Sequence, residues 1–345
     1  MRMLRVEYDR YGGPDVMHLA QAERPVPEKH GVLVRVFAAC ANPIDWKVRN
    51  GDLKLLTGSR FPRGMGRDFA GIVEAVGPGV VDFKLGDQVF GSMEIRNSGA
   101  FADYVSTPES TITGLPSGLS FKQAAAIATP AKTAWGALVI VGHIRRGCRL
   151  LVNGCAGAVG RCAVQIGLLF GADISGTCSA ADMVQAKQAG AHHIFDYRTF
   201  QPADVKKSFD LVFDTFGNLS NRECSMMLSG SGIALHINGS LRKMLGVLFS
   251  RRNRIAGVKT TSDLLRLVGD QAAEGRITLP IAKTVALAGA CSALEQLEMF
   301  NEPKGKLLIK PNGSRFPEAP ASIRTGDLSD LSIRSKNCLK SIPYE

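Results

Sequence analysis

The chain has 345 residues, enough for two domains of ordinary size, and 45% of them are hydrophobic, as in globular proteins. The chain has 42 Lys and Arg against 31 Asp and Glu, which gives a formal net charge of +11. The basic residues are dispersed, with no zinc-finger spacing and no interleaved aromatic residues, so nucleic acid is not favoured as a partner. The sequence shows no unbroken apolar run of membrane-spanning length and no apolar leader, which predicts a cytoplasmic protein without a membrane span. Its 8 cysteines include no Cys-x-x-Cys, which predicts that they form no disulfide framework.

The first hundred or so residues predict a mostly antiparallel β domain. Short apolar or alternating runs are separated by turns that contain Gly and Pro. The predicted strands lie at 4–8, 31–39, 72–76, 88–91 and 100–105. The polar loop Cys40–Lys47 follows the second of these strands, and a strand end of this kind is a natural place for chemistry.

The pattern changes from Ser120 onward. Two helices are predicted, one with Ser120 as its N-cap and a second that begins at Thr129. Strands that alternate with helices follow, which predicts a doubly wound parallel sheet. The predicted strands lie at 150–152, 171–176, 194–197, 211–213 and 232–237.

A glycine turn separates the strand at 150–152 from a helix predicted over 161–170. Gly154, Gly157 and Gly160 follow a G-x-x-G-x-x-G pattern, and small residues in such a turn let a pyrophosphate approach the backbone and the helix N-terminus. The turn predicts dinucleotide binding by the segment 156–160 (Ala156, Gly157, Ala158, Val159 and Gly160). The alternative is a tight turn with a purely structural role.

The end of the next strand bears on the choice of dinucleotide. A site that prefers NAD has an acid there for the ribose 2′-OH, whereas this strand runs into Ser179 and meets no acid before Asp182. The sequence therefore favours NADPH over NADH, with the 2′-phosphate held by Ser179, Lys187, Tyr197 and Arg198. Alternatively, Ser179 is only a helix N-cap. Phe216 and Asn238 lie just beyond later strands, where open α/β sheets bind ligands, and they complete the predicted cofactor contacts from this domain.

The last elements predict a return to the first domain. A helix is predicted at 262–275, strands at 285–287 and 306–310, and a helix at 292–300 between those strands. The predicted organisation is 1–125 and 259–311 for the first domain, 126–258 for the nucleotide domain, and a loose tail at 312–345.

Taken together, residues 1 to about 311 resemble the zinc-free quinone oxidoreductase branch of the medium-chain dehydrogenase/reductase superfamily. The motifs that carry the resemblance are Asn42-Pro43-x-Asp45, Gly66-Arg67-Asp68-Phe69-Ala70-Gly71, Phe83-Lys84-x-Gly86-Asp87-x-Val89, Gly99-x-Phe101-Ala102-Asp103-Tyr104, Gly157-x-Val159-Gly160 and Gly305-Lys306.

The resemblance implies an α/β fold with a GroES-like β domain and a Rossmann domain. NADPH would bind in the cleft between them, and a hydride would pass to a quinone or to the β-carbon of an enone. It adds Thr133 and Lys306 to the predicted cofactor contacts. It also implies a homodimer that pairs through the nucleotide-sheet edge, predicted here at 232–237.

Zinc members of the superfamily hold a metal with a Cys in the first loop and a Gly-His-Glu in the second. This chain has Asn42 and Gly66-Arg67-Asp68 at those places, so no metal is expected. The resemblance makes Asn42 the candidate donor to the acceptor oxygen, and the alternative is an Asn that shapes the loop before Pro43. Asp45 would orient that loop, and Arg67 would anchor it or contact substrate.

Two other functions stay open from the sequence. One is an enoyl-thioester reductase that acts on a CoA-bound or carrier-bound acyl chain. The other belongs to a different class, an NADPH-binding protein with little catalysis that binds RNA.

Overall fold

The computed structural model describes residues 1–237, 246–247, 250–300 and 305–311, which form two sheet-based units joined by one long helix. The predicted cofactor residue Asn238 and the predicted tail at 312–345 lie outside the described residues. A mostly antiparallel β unit lies beside a parallel sheet with helices, so the predicted α/β fold class is confirmed.

The β unit contains two sheets. Its strands, numbered in chain order through the whole protein, are β1 Arg2–Tyr8, β2 Met17–Glu23, β3 Gly31–Cys40, β4 Arg63–Gly64, β5 Asp68–Val76, β6 Gln88–Ser92, β7 Tyr104–Pro108, β8 Ile112–Gly114, β15 Ile281–Ala286 and β16 Lys306–Lys310. The small sheet has the order β2-β1-β4, and the larger one runs β15-β16-β3-β5-β6-β8 with β7 paired to β3. All of β3 except Arg35 is buried, because neighbouring elements cover both of its faces.

The second unit is a parallel sheet whose described strands have the order β11-β10-β9-β12-β13-β14. These strands are β9 Arg149–Asn153, β10 Asp173–Cys178, β11 His193–Asp196, β12 Phe209–Asp214, β13 Leu228–His236 and β14 Asn253–Ile255. The apolar run Leu150–Val152 is fully buried at the centre of the sheet, as expected for a parallel strand covered on both faces.

The described helices connect and cover these sheets. They are α1 Pro43–Asn50, α2 Lys54–Thr57, α3 Phe121–Trp135, α4 Ala158–Leu169, α5 Met183–Gln188, α6 Asn221–Met227, α7 Ser262–Ala273 and α8 Ala290–Phe300.

One predicted edge strand is an interior strand. The segment around 232–237 was expected at the edge of the parallel sheet, but β13 pairs with β12 on one side and with β14 on the other. The prediction was wrong because Asn253–Ile255 is too short and too polar to be identified as a strand from its sequence. Among the described strands, β14 forms this edge, so the expected dimer contact through 232–237 has no free strand edge to use.

The predicted break at Thr129 is absent. Helix α3 continues through Pro130 to Trp135 and then into a π-helix over Gly136–Val141. Proline removes one backbone donor, and the buried packing of the helix on both units outweighs that loss. Residues Phe121–Val141 have the length and apolar composition of a membrane span, yet 78% of the 18-residue apolar window is buried inside the protein.

The end of the chain returns to the β unit. Strand β16 pairs antiparallel with β3 through Leu308–Cys40 and Ile309–Ala39. This pairing places Lys306 beside the loop that follows β3.

Candidate functional site

The first part of the site is the crevice at the carboxyl ends of β9 and β12, where the strand order reverses. Gly154 follows β9 with φ +85°, a conformation that favours glycine, and its N–H donates to Thr177 O at 3.1 Å. An added Cβ at Gly160 would lie 2.1 Å from Gly154 O and 2.8 Å from Cys155 Cα. Only glycine at 160 therefore lets the loop and helix α4 pack this closely.

The N-terminus of α4 is open to solvent. Gly157 is its N-cap and is exposed, while Ala156, Ala158 and Val159 are half-buried around it. The first-turn N–H groups of a helix have no partners within the helix, so they can bind an anion. The predicted segment 156–160 thus has the shape that a pyrophosphate requires.

A buried polar network holds the strand ends that form this crevice. Asn153 Nδ2 donates to Asp214 Oδ1 at 2.8 Å and to Asn218 Oδ1 at 2.7 Å, and Asn153 Oδ1 accepts from Thr177 Oγ1 at 2.6 Å. Sequence analysis did not identify these residues as functional. Their position at strand ends was a signal, but their mutual contacts depend on the sheet order.

Three of the four predicted 2′-phosphate residues, Ser179, Tyr197 and Arg198, lie at the carboxyl ends of β10 and β11. Tyr197 N donates to Cys178 O at 3.0 Å, and the Arg198 guanidinium stacks on the Tyr197 ring at 5.7 Å. Ser179 Oγ donates to the Asp182 carboxylate, so this hydroxyl must turn before it can bind a phosphate. Lys187 is exposed in the last turn of α5.

Phe216 and Thr133 lie on other elements. Phe216 is 74% exposed beyond the end of β12, and Thr133 is half-buried on α3. Both stay predicted cofactor contacts.

The second part of the site is a buried cluster around Asn42, defined by Asn42, Asp45, Arg67, Asp68, Thr129, Lys132 and Lys306. Asn42 Nδ2 donates to Asp68 Oδ2 at 2.8 Å and to Cys40 O at 3.2 Å, and its Oδ1 accepts from Lys306 Nζ at 2.7 Å. Both amide hydrogens of Asn42 are thus used inside the protein. Its predicted contact with an acceptor oxygen requires one of these bonds to open.

Lys306 joins the two parts of the site. Its Nζ also donates to Ala41 O at 2.7 Å, and the side chain is buried. Burial raises the pKa of the Cys40 thiol in the β unit and of the Cys162 thiol in the second turn of α4. The positive charge of Lys306 acts on both thiols and partly opposes this rise. Lys306 thus bonds the Asn42 loop directly, and its charge also acts on the nucleotide helix.

Asp45 is a buried carboxyl group whose main contact is local. Its Oδ2 accepts from Asn42 N at 2.8 Å, and its Oδ1 has no hydrogen-bond partner among the described residues. Burial raises the pKa of Asp45 to about 7 against the opposing Asn42 N–H bond, and the Asp68 carboxylate adds to the rise. This contact agrees with the predicted loop-orienting role, which stays a prediction.

We expect Asp45→Asn to stabilise the protein more at alkaline than at acidic pH. The folded-state pKa of Asp45, about 7, exceeds its ordinary value of about 3.9. The contribution of neutral Asp45 to the stability of the wild-type protein is therefore complete below about pH 3.9 and is lost as the pH rises through about 7. Asparagine stays neutral and keeps an oxygen for Asn42 N–H. The free energy of unfolding of Asp45→Asn, relative to wild type, should increase by about 2–3 kcal/mol between about pH 5 and about pH 8.5.

Urea unfolding of both proteins at the two pH values measures this gain. Asp52→Asn is the matched control because Asp52 is exposed just beyond α1. A difference between Asp45→Asn and wild type that stays constant across this range would contradict the assignment.

The Asn42 cluster does not fit a zinc ion. Arg67 is a cation, and the Asp68 carboxylate already accepts from Asn42 Nδ2, from Thr129 N at 2.9 Å and from Thr129 Oγ1 at 2.6 Å. The nearby Cys40 thiol donates to Leu307 O at 3.3 Å, and burial raises its pKa to about 11, which disfavours the thiolate that a metal needs.

Sequence analysis named Asn42, Asp45, Arg67 and Lys306 in this cluster but gave Asp68, Thr129 and Lys132 no role. Asp68 was visible only as part of the Gly66–Gly71 motif. Thr129 and Lys132 had no signal, because the side chains they approach lie far away in the sequence.

Two family matches cover much of the chain. Residues 28–117 match the family described as alcohol dehydrogenase GroES-like domain, and residues 189–309 match the family described as zinc-binding dehydrogenase.

Several characterised proteins are similar over most of their length. Quinone oxidoreductase of Pongo abelii is 35% identical over 245 residues, which are 68% of this chain and 72% of that protein. Quinone oxidoreductase of Rattus norvegicus is 30% identical over 329 residues, which are 90% of this chain and 97% of the relative. The solved structure of the quinone oxidoreductase from Coxiella burnetii aligns with a TM-score of 0.80 at 28% identity, covering 90% of this chain and 99% of that one.

Proposed function

We propose that this chain, which belongs to the quinone oxidoreductase branch of the medium-chain dehydrogenase/reductase superfamily, uses NADPH to reduce quinones or α,β-unsaturated carbonyl compounds. One observation supports the proposal most directly. Lys306 bonds the Asn42 amide, and its charge acts on Cys162 in α4, the helix that follows the glycine turn. A nucleotide held by α4 would therefore point toward a buried polar site.

The chain's own residues fit the cofactor. The N–H groups of 157–160 would hold the pyrophosphate, because the space that a Cβ of Gly160 would fill is taken by the Gly154 carbonyl and Gly157 faces solvent. Tyr197 and Arg198 would face the 2′-phosphate at the ends of β10 and β11. When bound, the reduced nicotinamide supplies a hydride, which with one proton completes a two-electron reduction of the acceptor.

The Asn42 cluster supplies polar groups for the acceptor without a metal. Charge that develops on a carbonyl oxygen must be met by fixed hydrogen-bond donors or water. Lys306 and Asp68 hold the Asn42 amide on both sides, which fixes its orientation at the end of β3. Asn42 is therefore a pre-positioned group whose bond to Asp68 or to Cys40 O must exchange for one to the acceptor.

A panel of acceptors tests the proposal. NADPH oxidation is followed by absorbance with 1,4-benzoquinone, 9,10-phenanthrenequinone, a 2-alkenal, an enone and crotonyl-CoA. Quinone or enone turnover supports the proposed function, and dominant crotonyl-CoA turnover would replace it with thioester reduction. Tight NADPH binding without turnover of any acceptor would support the non-catalytic alternative instead.

The preference for NADPH has its own prediction. Arg198→Ala should lower kcat/KM for NADPH several-fold and leave that for NADH nearly unchanged, because only the phosphate contact is lost. Steady-state kinetics with both cofactors measures the ratio. Arg145→Ala, an exposed cation near the amino end of β9, is the matched control. Equal losses with both cofactors would refute the 2′-phosphate assignment.

A homodimer and a cytoplasmic location are proposed with this function, the first from the resemblance and the second from the sequence. Size-exclusion chromatography with light scattering tests the dimer. A monomer at micromolar concentration would contradict it.

A further inference from the structure

Two buried cations of the Asn42 cluster have no carboxylate partner. Arg67 is 7% exposed and Lys132 is 4% exposed, yet neither forms an ion pair within 4.0 Å among the described residues. Removing an ion from water costs several kcal/mol unless a counter-charge and hydrogen bonds compensate for it. Two such groups in one cluster indicate that an anion completes the site.

Arg67 is anchored by only one edge of its guanidinium. Its Nε donates to Met93 O at 2.7 Å, which fixes the plane of the group at the ends of β5 and β6. Its two terminal nitrogens make no hydrogen bond to any side chain or backbone group in the part of the chain that the structure describes. A fixed planar fork with free donors matches the two oxygens of a carboxylate.

Lys132 approaches from the opposite element. It lies on α3 and its Nζ donates to Thr260 Oγ1, which is its one side-chain bond to the described residues. Burial, and then the charge of Arg67, lower the pKa of Lys132 to about 7, while Asp68 acts in the opposite direction. Arg67 and Lys132 are therefore close enough for their charges to repel each other.

The nearby carboxylates compensate for this charge only in part, because Asp68 acts on Lys132 and Asp45 acts on Arg67 without a direct ion pair among the described residues. Asp68 accepts three hydrogen bonds from Asn42 and Thr129, and Asp45 accepts from Asn42 N. Burial also favours the neutral form of Asp45. Below about pH 7 the cluster thus holds three cations, with Lys306 the third, against at most two anions.

We propose that Arg67 and Lys132 bind a carboxylate group of the hydride acceptor, so that the preferred acceptor is a quinone or enone that carries an acidic substituent. This proposal rests on the proposed function. The two terminal nitrogens of Arg67 would donate to the two carboxylate oxygens, and the Lys132 ammonium would donate to one of them while keeping its bond to Thr260. The bound carboxylate would remove the repulsion between the two cations.

Direct binding tests the proposal without turnover. The probe is 4-(3-oxobut-1-enyl)benzoate, an enone with a remote carboxylate, and its methyl ester is the neutral match. Isothermal titration calorimetry on the protein without added cofactor should show the carboxylate binding at least about tenfold more tightly than the ester. Equal affinity of the two compounds would overturn the proposal.

Variants assign the effect to the pair. Arg67→Gln and Lys132→Met should each weaken carboxylate binding about tenfold or more and leave ester binding nearly unchanged. Lys122→Met, in the first turn of the same helix, is the control for loss of a lysine outside the Asn42 cluster. If the variants weaken binding of the carboxylate and of the ester to the same extent, the effect is structural. If they lose NADPH affinity to the same extent as carboxylate affinity, the two cations bind a cofactor phosphate. Either result overturns the proposal.

The pH dependence provides a further readout. Affinity for the carboxylate should fall as the pH rises from about 6 to about 8, because Lys132 loses its proton near pH 7 while Arg67 stays charged. Ester affinity should stay level, and the slope for the carboxylate should disappear in Lys132→Met. A slope that survives in Lys132→Met would overturn the role of Lys132. Since calorimetry needs no turnover, failure of the acceptor panel would refute the proposed function without deciding this binding result.

Discussion

Gly160→Ala is expected to lose both stability and cofactor binding. The new methyl group would lie 2.1 Å from Gly154 O and 2.8 Å from Cys155 Cα, and neither backbone atom can rotate away. The loop must therefore shift from α4, which we expect to lower the free energy of unfolding by about 2–3 kcal/mol. Because the same shift moves the N–H groups that face the pyrophosphate, the NADPH Kd should rise about tenfold or more.

Two other glycines separate these effects. At Gly157 an added Cβ would meet only Gly154 O, at 3.4 Å, so Gly157→Ala should keep its stability within about 0.5 kcal/mol and weaken NADPH binding alone. At Gly230 on β13 nothing lies within 4 Å, so Gly230→Ala should change neither quantity. Urea unfolding and titration of NADPH fluorescence measure the two. Normal NADPH binding by a stable Gly160→Ala protein would contradict the account of this turn.

The largest expected effect on stability lies between α1 and α8. Arg49 is fully buried, and its Nη2 donates to both carboxylate oxygens of Glu298 at 2.9 and 2.7 Å. Removal of one member of a buried ion pair leaves the other charge without compensation, which costs about 3–5 kcal/mol. We expect losses in that range for Arg49→Met and for Glu298→Ala, measured by urea unfolding.

The double variant discriminates between a pair and two independent packing losses. The loss of unfolding free energy in Arg49→Met/Glu298→Ala should be smaller than the sum of the losses in the two single variants, because the double variant leaves no buried charge without its partner. Asp15→Asn is the control, since its pair with Arg10 is 71–73% exposed and should contribute about 0.5 kcal/mol or less. Additive losses in the double variant would contradict the proposed coupling.

Several corrections share one cause. Pro130 predicted a helix boundary from local chemistry, but buried contacts on both sides keep α3 continuous. The strand at 232–237 looked like an edge because its neighbour Asn253–Ile255 is short and polar. In both cases the surrounding protein outweighed the local preference of the sequence.

The sequence by itself determined most of the longer strands and helices and the glycine turn before α4. These features depend on the period of apolar residues and on local backbone geometry, which neighbouring residues encode. The positions of Asn42, Asp45 and Arg67 were visible for the same reason, since they lie in short motifs.

Only the tertiary structure decided which side chains meet. Asn42 bonds Asp68 26 residues away and Lys306 264 residues away, while Lys132 reaches Thr260 across 128 residues. Such contacts depend on strand order and on the return of β16 to β3, which no local pattern records. The excess positive charge at Arg67 and Lys132 is visible only after folding. It depends on where the carboxylates of Asp45 and Asp68 lie and on the hydrogen bonds that these carboxylates accept from Asn42 and Thr129.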